Sequence, residues 1–291
     1  MPEGVETVFI CEDIKSWFEE RDVHKTGFLD FSIKRILQPR IFYFSPINIR
    51  EFNIRFRRIN YRNIYSFGKN IIFPSDNDHA LYFEMGMTGI FKEIPDEYLA
   101  VEFLCENKYP FYFSDKRKYS YLMLGNKSAK PRNLIHSMKV AFDWRDKDLA
   151  EKASNKIFSK DTWMEKNIKQ VLTNPQIISG IGNIYANEGL FDSGTFPGKK
   201  IKDMDKEEVK KCINKCQEIM IESYNKGGLT RDTVENYNKL AYGKRLLRVY
   251  RKHGSVCPKC KMAIIQKIKL HRTNSYFCPL CQKDPYNEYE Q

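Results

Sequence analysis

Four cysteines near the C-terminus constrain this chain more than any other feature. Cys257-x-x-Cys260 and Cys278-x-x-Cys281 stand 17 residues apart in a final stretch of about 35 residues, too short to build an apolar core of its own. Two Cys-x-x-Cys knuckles joined by a hairpin present four thiolates to one tetrahedral ion, which makes structural zinc the expected cofactor and Cys257, Cys260, Cys278 and Cys281 its ligands. A metal-free hairpin of reduced thiols is the alternative. The other four cysteines are scattered. Cys212 and Cys216 lie four apart in a Lys/Glu-rich helical pattern and read as small residues sharing one helix face, while Cys11 and Cys105 lie in apolar segments as buried thiols. The loop between the knuckles carries Lys261, Lys267, Lys269, His271 and Arg272 among Ile264, Ile265, Ile268 and Tyr276. A basic hairpin on a metal base suits a nucleic-acid phosphate backbone, and by itself it would be equally at home in a ribosomal or transcription protein.

The rest of the chain divides by texture. Length alone, 291 residues, points to two domains and a small appendage. Residues 5 to 20 have helical spacing, with Val8, Ile10, Ile14, Trp17 and Phe18 as the expected buried set. From about Ile33 to Leu124 come short runs of Ile, Phe and Tyr broken by Phe67-Gly68, Pro74-Ser75-Asp76-Asn77 and Met85-Gly86, the pattern of an antiparallel sandwich or flattened barrel. The polar stretch Gly125 to Arg132 begins a connection. From Phe142 to Tyr224 the pattern is helical, with caps expected at Ser159-Lys160-Asp161 and at Asp203 to Lys206. Within it, Asn174 is expected to cap a helix with Pro175 in its first turn, Gly180-Ile181-Gly182 to break it, and Asn183 to cap the next. Such a glycine turn aims backbone N–H groups at a potential phosphate, although close helix packing explains the glycines equally well.

Charge and hydropathy set the surroundings. Lys plus Arg number 49 and Asp plus Glu 37, a net charge of +12, which favours a polyanionic partner. No run approaches the roughly 20 apolar residues that span a bilayer, and the start MPEGVETVFICEDIK lacks a secretory pattern, so a soluble intracellular protein is expected.

Three features then coincide: Pro2-Glu3-Gly4-Val5-Glu6; Gly180-Ile181-Gly182-Asn183-Ile184-Tyr185-Ala186-Asn187-Glu188; and His271-Arg272 ahead of Cys278-Pro279-Leu280-Cys281-Gln282. Together they resemble the formamidopyrimidine-DNA glycosylase/endonuclease VIII family, in that family's order and over nearly the whole chain. Weaker echoes are Gly68-Lys69, Met85-Gly86-Met87-Thr88-Gly89, Asp115-Lys116-Arg117-Lys118-Tyr119, Gly227-Gly228 and Arg248-Val249-Tyr250. The resemblance implies an α+β multidomain clamp: an N-terminal catalytic β-sandwich with an N-terminal helix over 1–130, a linker and first helix of the second lobe over 131–160, a helix-two-turn-helix DNA-binding domain over 161–254, and a zinc-finger hairpin over 255–285. It implies Pro2 as nucleophile, Glu3 as acid/base carboxylate and Lys69 as a phosphate-binding lysine beside the reaction centre. Asn183 and Arg272 would hold flanking phosphates, and Met87, Arg117 and Tyr119 would fill the hole left by an extruded base. The implied activity is base-excision repair by a bifunctional DNA glycosylase/AP lyase acting as a monomer on damaged DNA, duplex or also single-stranded, where DNA is kept (nucleus, nucleoid or viral replication compartment), with no redox or nucleotide cofactor.

Elementary chemistry agrees with the assigned terminus. With Met1 removed, Pro2 is a secondary amine whose reference pKa, about 8, leaves a neutral nucleophilic fraction near pH 7. The start Pro-Glu-Gly-x-Glu looks more like the endonuclease VIII branch, which points to oxidised pyrimidines. Departures from the family pattern are Glu84 in place of a frequent histidine, Lys116 and Lys118 flanking Arg117, Tyr119 for phenylalanine, and six positions rather than five from Arg272 to Cys278. Two other readings compete: a DNA-binding zinc protein that kept the clamp without the chemistry, and a metal-dependent nuclease or phosphatase, for which the dispersed His24, His79, His136, His253 and His271 offer no ligand cluster.

Overall fold

The computed structural model describes residues 2–22, 24–38, 49–105, 109–127, 132–133, 138–139, 142–229 and 247–287. Its first element, α1 (Gly4–Arg21), buries Val5, Phe9, Ile10, Ile14, Trp17 and Phe18. Val8, expected inside, is only half-buried, and Phe9 takes the inner position. A one-residue shift is 100° on a helix, and the larger ring gains more from leaving water. At the far end the Arg21 guanidinium lies 3.8 Å from the Trp17 ring centroid and pairs with Glu93 at 3.2 Å.

Two antiparallel sheets follow. In chain order the strands are β1 (Phe28–Ile36), β2 (Arg58–Asn60), β3 (Tyr65–Phe67), β4 (Asn70–Pro74), β5 (His79–Glu84), β6 (Gly89–Lys92), β7 (Leu99–Cys105), β8 (Pro110–Asp115) and β9 (Tyr121–Asn126), with a short helix α2 (Ile49–Arg55) after β1. One sheet runs β2-β1-β7-β8-β6 and the other β3-β4-β5-β9. Between them the alternate inward residues are mostly phenylalanine. Phe31 stacks on Phe103 at 4.8 Å and Phe91 on Phe111 at 5.2 Å, while Phe83 touches Phe73, Phe91 and Phe113. All seven rings are buried, each worth roughly 1.5–3 kcal/mol of transfer free energy. This ring core fixes the register of the hairpins that carry the site below.

Beyond β9 come two two-residue ladders: β10 (Arg132–Asn133) with β11 (Met138–Lys139), and β12 (Phe142–Asp143) in parallel with β13 (Ile178–Ser179). The helices are α3 (Leu149–Phe158), α4 (Ile168–Leu172), α5 (Asn183–Ser193) and α6 (Lys206–Asn225), and the last hairpin is β14 (Gln266–Leu270) with β15 (Thr273–Phe277). The Asp205 side chain caps α6, accepting the Glu208 N–H at 2.7 Å. Cys212 and Cys216 are buried on that helix, and Cys11 and Cys105 in the sandwich core.

The expected helix from Asn174 does not form. The Asn174 side chain accepts the Gln176 N–H at 2.9 Å and its carbonyl accepts the Ile178 N–H at 3.0 Å, closing a single turn that feeds β13. Asn and Pro here make a turn rather than a cap, because the local side-chain bond competes with helix propagation.

Contacts divide the chain into two units, Met1–Val140 with Gly228–Ala241 and Ala141–Gly227 with Tyr242–Gln291. Gly228 and Leu229 go with the first because the Leu229 N–H donates to Glu6 Oε1 at 3.1 Å and Gly228 packs on the Phe9 ring. Among the described residues no helix is long and apolar enough to cross a membrane.

Candidate nucleic-acid interface and active site

In the first unit, Pro2 is buried at the start of α1, and Glu3 caps the helix. The Glu3 N–H donates to Glu6 Oε2 at 3.2 Å, so the Glu6 carboxylate holds the chain start with one oxygen and Leu229 with the other. Thr7 Oγ1 donates to the Gly68 carbonyl at 2.9 Å, joining the first turn of α1 to the β3–β4 turn that carries Lys69. The structure thereby brings Pro2, Glu3 and Lys69 into one neighbourhood, together with Glu6 and Glu84. Burial pulls the Lys69 ammonium below its ordinary value, and the charges of Glu3, Glu84 and Glu6 oppose that shift. A partly desolvated cation among three carboxylates can hold a phosphate oxygen or exchange a proton with its neighbours. The sequence placed Glu6 in the Pro2-Glu3-Gly4-Val5-Glu6 motif without giving it a role, and one of its two partners lies 223 positions away.

Met87, Arg117 and Tyr119 also come together, on the β5–β6 and β8–β9 turns. Met87 is 44% exposed and Tyr119 50%, so neither is a core residue. The Arg117 guanidinium reaches Met87 Sδ at 3.6 Å and lies 5.0 Å from the Tyr119 ring centroid. Asp115, fully buried, organises the group by accepting the N–H groups of Arg117, Tyr119 and Ser120 at 3.1, 2.7 and 2.8 Å. Gly86 has φ +57°, and a Cβ there would stand 2.7 Å from the Tyr119 backbone, so the two turns approach this closely only with glycine. The result is an exposed soft side chain, cation and aromatic on a rigid base.

The second unit carries the other predicted contacts. Gly182, not Asn183, is the N-cap of α5, and Asn183 is its first helical residue. The turn before it is tight: Gly180 has φ +111°, and a Cβ there would meet the Trp144 ring at 2.4 Å. Asn183 sits where the free N–H groups of the helix start give a positive end. Asn187 Nδ2 donates to Asn183 Oδ1 at 3.2 Å, and Asn187 Oδ1 accepts the Tyr276 N–H of β15 at 2.7 Å. Lys169, also buried, donates to the Asn274 carbonyl at 2.7 Å and to Ser275 Oγ at 2.6 Å. Both brace the hairpin whose two-residue tip is His271, left-handed at φ 54°, and Arg272, exposed to solvent. Glu188 fixes the turn segment entering this region, accepting the N–H groups of Arg248, Val249 and Tyr250 at 2.9, 3.0 and 2.7 Å; its burial nonetheless raises the carboxyl pKa. Asn187, Glu188 and Lys169 are positioning groups the sequence did not single out, although the first two lie inside the glycine-turn motif.

The four cysteines converge. Their sulfurs all lie within 4.8 Å of one another, with Cys257–Cys281 at 3.9 Å and Cys260–Cys278 at 3.7 Å. A tetrahedral ion with metal–sulfur bonds of ~2.3 Å requires sulfur pairs ~3.8 Å apart, and no disulfide competes. Backbone N–H groups of Ala263 and Met262 bring the Cys260 thiol down to about 6, whereas burial and the neighbouring sulfurs push Cys281 up to about 12. The donor set fits zinc.

The site residues thus sit on a sandwich with an N-terminal helix, a helical unit turning on glycines and a four-cysteine hairpin. Residues 145–234 match the family model described as formamidopyrimidine-DNA glycosylase H2TH domain. A formamidopyrimidine-DNA glycosylase of Mycoplasmopsis pulmonis is 29% identical over 97% of this chain and 98% of its own. Among solved structures, the MutM (Fpg) protein of Thermus thermophilus superposes with TM-score 0.75 at 20% identity, covering 97% of this chain and 98% of that one. Lactococcus lactis Fpg in complex with abasic-site DNA gives 0.72 at 22%, covering 97% and 100%. The chain thus carries a formamidopyrimidine-DNA glycosylase H2TH domain over residues 145–234 and is similar over nearly its whole length to proteins named formamidopyrimidine-DNA glycosylase.

Proposed function

We propose that this chain is a bifunctional base-excision-repair DNA glycosylase and AP lyase that uses the amine of Pro2. The observation that carries the reading is the neighbourhood of Pro2 and Glu3, held by Glu6 and by Thr7 against the turn bearing Lys69. With Met1 removed, the Pro2 nitrogen attacks C1′ of the damaged nucleoside and the C1′–base bond breaks, the base leaving with its bonding pair and taking up a proton. Glu3 protonates the ring oxygen, the sugar opens, and loss of the amine proton leaves an iminium. That cation acidifies the C2′ proton. Its removal expels the 3′ phosphate, and a second elimination expels the 5′ phosphate. Lys69 neutralises the charge that builds on the phosphate next to the sugar.

A base inside a duplex has to leave the stack before C1′ is open to attack. Met87 would wedge into the gap, Arg117 would bind the orphaned partner base and Tyr119 would stack. Asn183 and Arg272 would hold backbone phosphates, and zinc on the four thiolates would fix the hairpin that carries Arg272. We assign the chain to a monomer working on double-stranded DNA, with single strands as a second target, wherever its cell or virus keeps DNA.

On lesion choice, the Pro-Glu-Gly-x-Glu start supports oxidised pyrimidines, whereas the relatives named formamidopyrimidine-DNA glycosylase support oxidised purines. Duplexes carrying one 5-hydroxycytosine or one 8-oxoguanine decide it. Excision of the pyrimidine at least ten times faster supports the assignment; the reverse order moves the chain to the purine branch, and cutting of neither removes the glycosylase reading in favour of a binding protein.

A further inference from the structure

We infer that Asn187 sets the polarity of the Asn183 amide and so decides whether α5 presents a donor or an acceptor to a DNA phosphate. The inference rests on the reading that Asn183 binds phosphate. The oxygen and nitrogen of an amide are told apart by their partners. The Tyr276 N–H can only donate, so the Asn187 atom that meets it at 2.7 Å is the oxygen. Asn187 Nδ2 then faces Asn183, where both of its partners, the main-chain carbonyl and Oδ1, accept. With its oxygen engaged at 3.2 Å, Asn183 turns its own Nδ2 away from Asn187. That side is the donor a phosphate needs, beside the positive end of the helix. Asn187 is fully buried, and its bond to the Tyr276 N–H is closed to water.

The relay starts on β15, the strand that leaves the Arg272 tip. One side chain therefore both anchors the hairpin of Arg272 and orients Asn183, and hairpin and helix start act as a single phosphate clamp. Asn187 touches no DNA in this scheme and is a positioning residue.

Asn187→Asp keeps the shape and the acceptor toward Tyr276 but replaces the donor toward Asn183 with an acceptor. Asn183 then rotates to donate inward and shows its oxygen to the phosphate. Anisotropy titration of zinc-loaded wild type, Asn183→Ala, Asn187→Asp and the double variant on a duplex with one tetrahydrofuran abasic analogue reads the effect. At pH 8 we expect Asn183→Ala and Asn187→Asp each to bind about ten-fold more weakly, with the double variant no worse than Asn183→Ala. Acidification toward pH 5 protonates the carboxyl introduced at position 187 and restores a donor there, so the ratio of Asn187→Asp to wild-type affinity recovers while that of Asn183→Ala does not. Near-wild-type binding by Asn187→Asp, beside a weakened Asn183→Ala, overturns the relay and leaves the phosphate reading intact; a normal Asn183→Ala overturns both. Should Asn187→Asp shed zinc, Asn187→Ala decides: binding about three-fold weaker with zinc retained supports the relay, and unchanged binding overturns it.

Discussion

The sandwich and the cysteine hairpin hold their working residues in place by opposite means. In the first unit, phenylalanines buried between two sheets fix the turns that carry Lys69, Met87, Arg117 and Tyr119. In the hairpin, Val256, Met262, Ile264 and Leu280 are exposed and four sulfurs form the centre. The first is stabilised by apolar area spread over many residues; the second has a small apolar cluster around Ile265 and Tyr276, a few buried polar braces and four thiols placed to hold one ion. The contrast predicts two separate failure modes for the proposed enzyme, loss of chemistry and loss of DNA grip, each open to being provoked alone.

The largest expected effect comes from the metal. Removing zinc with a strong chelator, or substituting Cys278→Ser, should unfold the hairpin and weaken duplex binding at least a hundred-fold, while the near-ultraviolet signal of the buried sandwich aromatics persists. Simultaneous collapse of that signal would erase the contrast. Next, Phe83→Ala should lower stability by about 3–5 kcal/mol in urea denaturation, since the ring is fully buried against three others. Zinc content should not change; release of zinc would mean that the two supports are coupled.

Arg272→Ala comes third. Its side chain stands at the hairpin tip, so DNA binding should weaken about ten-fold and the salt dependence should flatten by about one phosphate contact, with thermal stability unchanged. An unaltered salt slope would remove Arg272 from the interface. The smallest effect concerns pH. Burial lowers the folded Lys69 pKa, so the native chain binds fewer protons here than the unfolded one and this contribution to stability grows as pH rises toward the ordinary lysine value. The charge on Lys69 is lost earlier than on an exposed lysine. Lys69→Arg, if it folds and cuts, should therefore hold its rate to higher pH, moving the alkaline limb of the profile up; a limb that stays put assigns it to another group.

How much the sequence revealed also differs between the regions. The knuckles were legible because metal ligation forces residue type and spacing together within a short stretch. The sheet texture was legible because phenylalanine and isoleucine recur where strands turn inward, and the family motifs named the residues later found clustered around Met87 and Lys69. What stayed hidden depends on distant partners. Glu6 meets Leu229 across 223 positions and Asn187 meets Tyr276 across 89, and neither bond leaves a local pattern. The errors were local competitions: Asn174 closed a turn through its own side chain, Gly182 took the cap expected of Asn183, and Phe9 displaced Val8 from the core.

The claim that matters most is that the Pro2 amine attacks the sugar, and borohydride trapping on an oligonucleotide with one abasic site tests it directly. Wild type with Met1 removed should form a covalent protein–DNA adduct, and both Pro2→Ala and a form that retains Met1 should lose most of it. An adduct that survives in both variants would place the nucleophile elsewhere, and its absence from wild type bound tightly to the same DNA would contradict the lyase chemistry altogether.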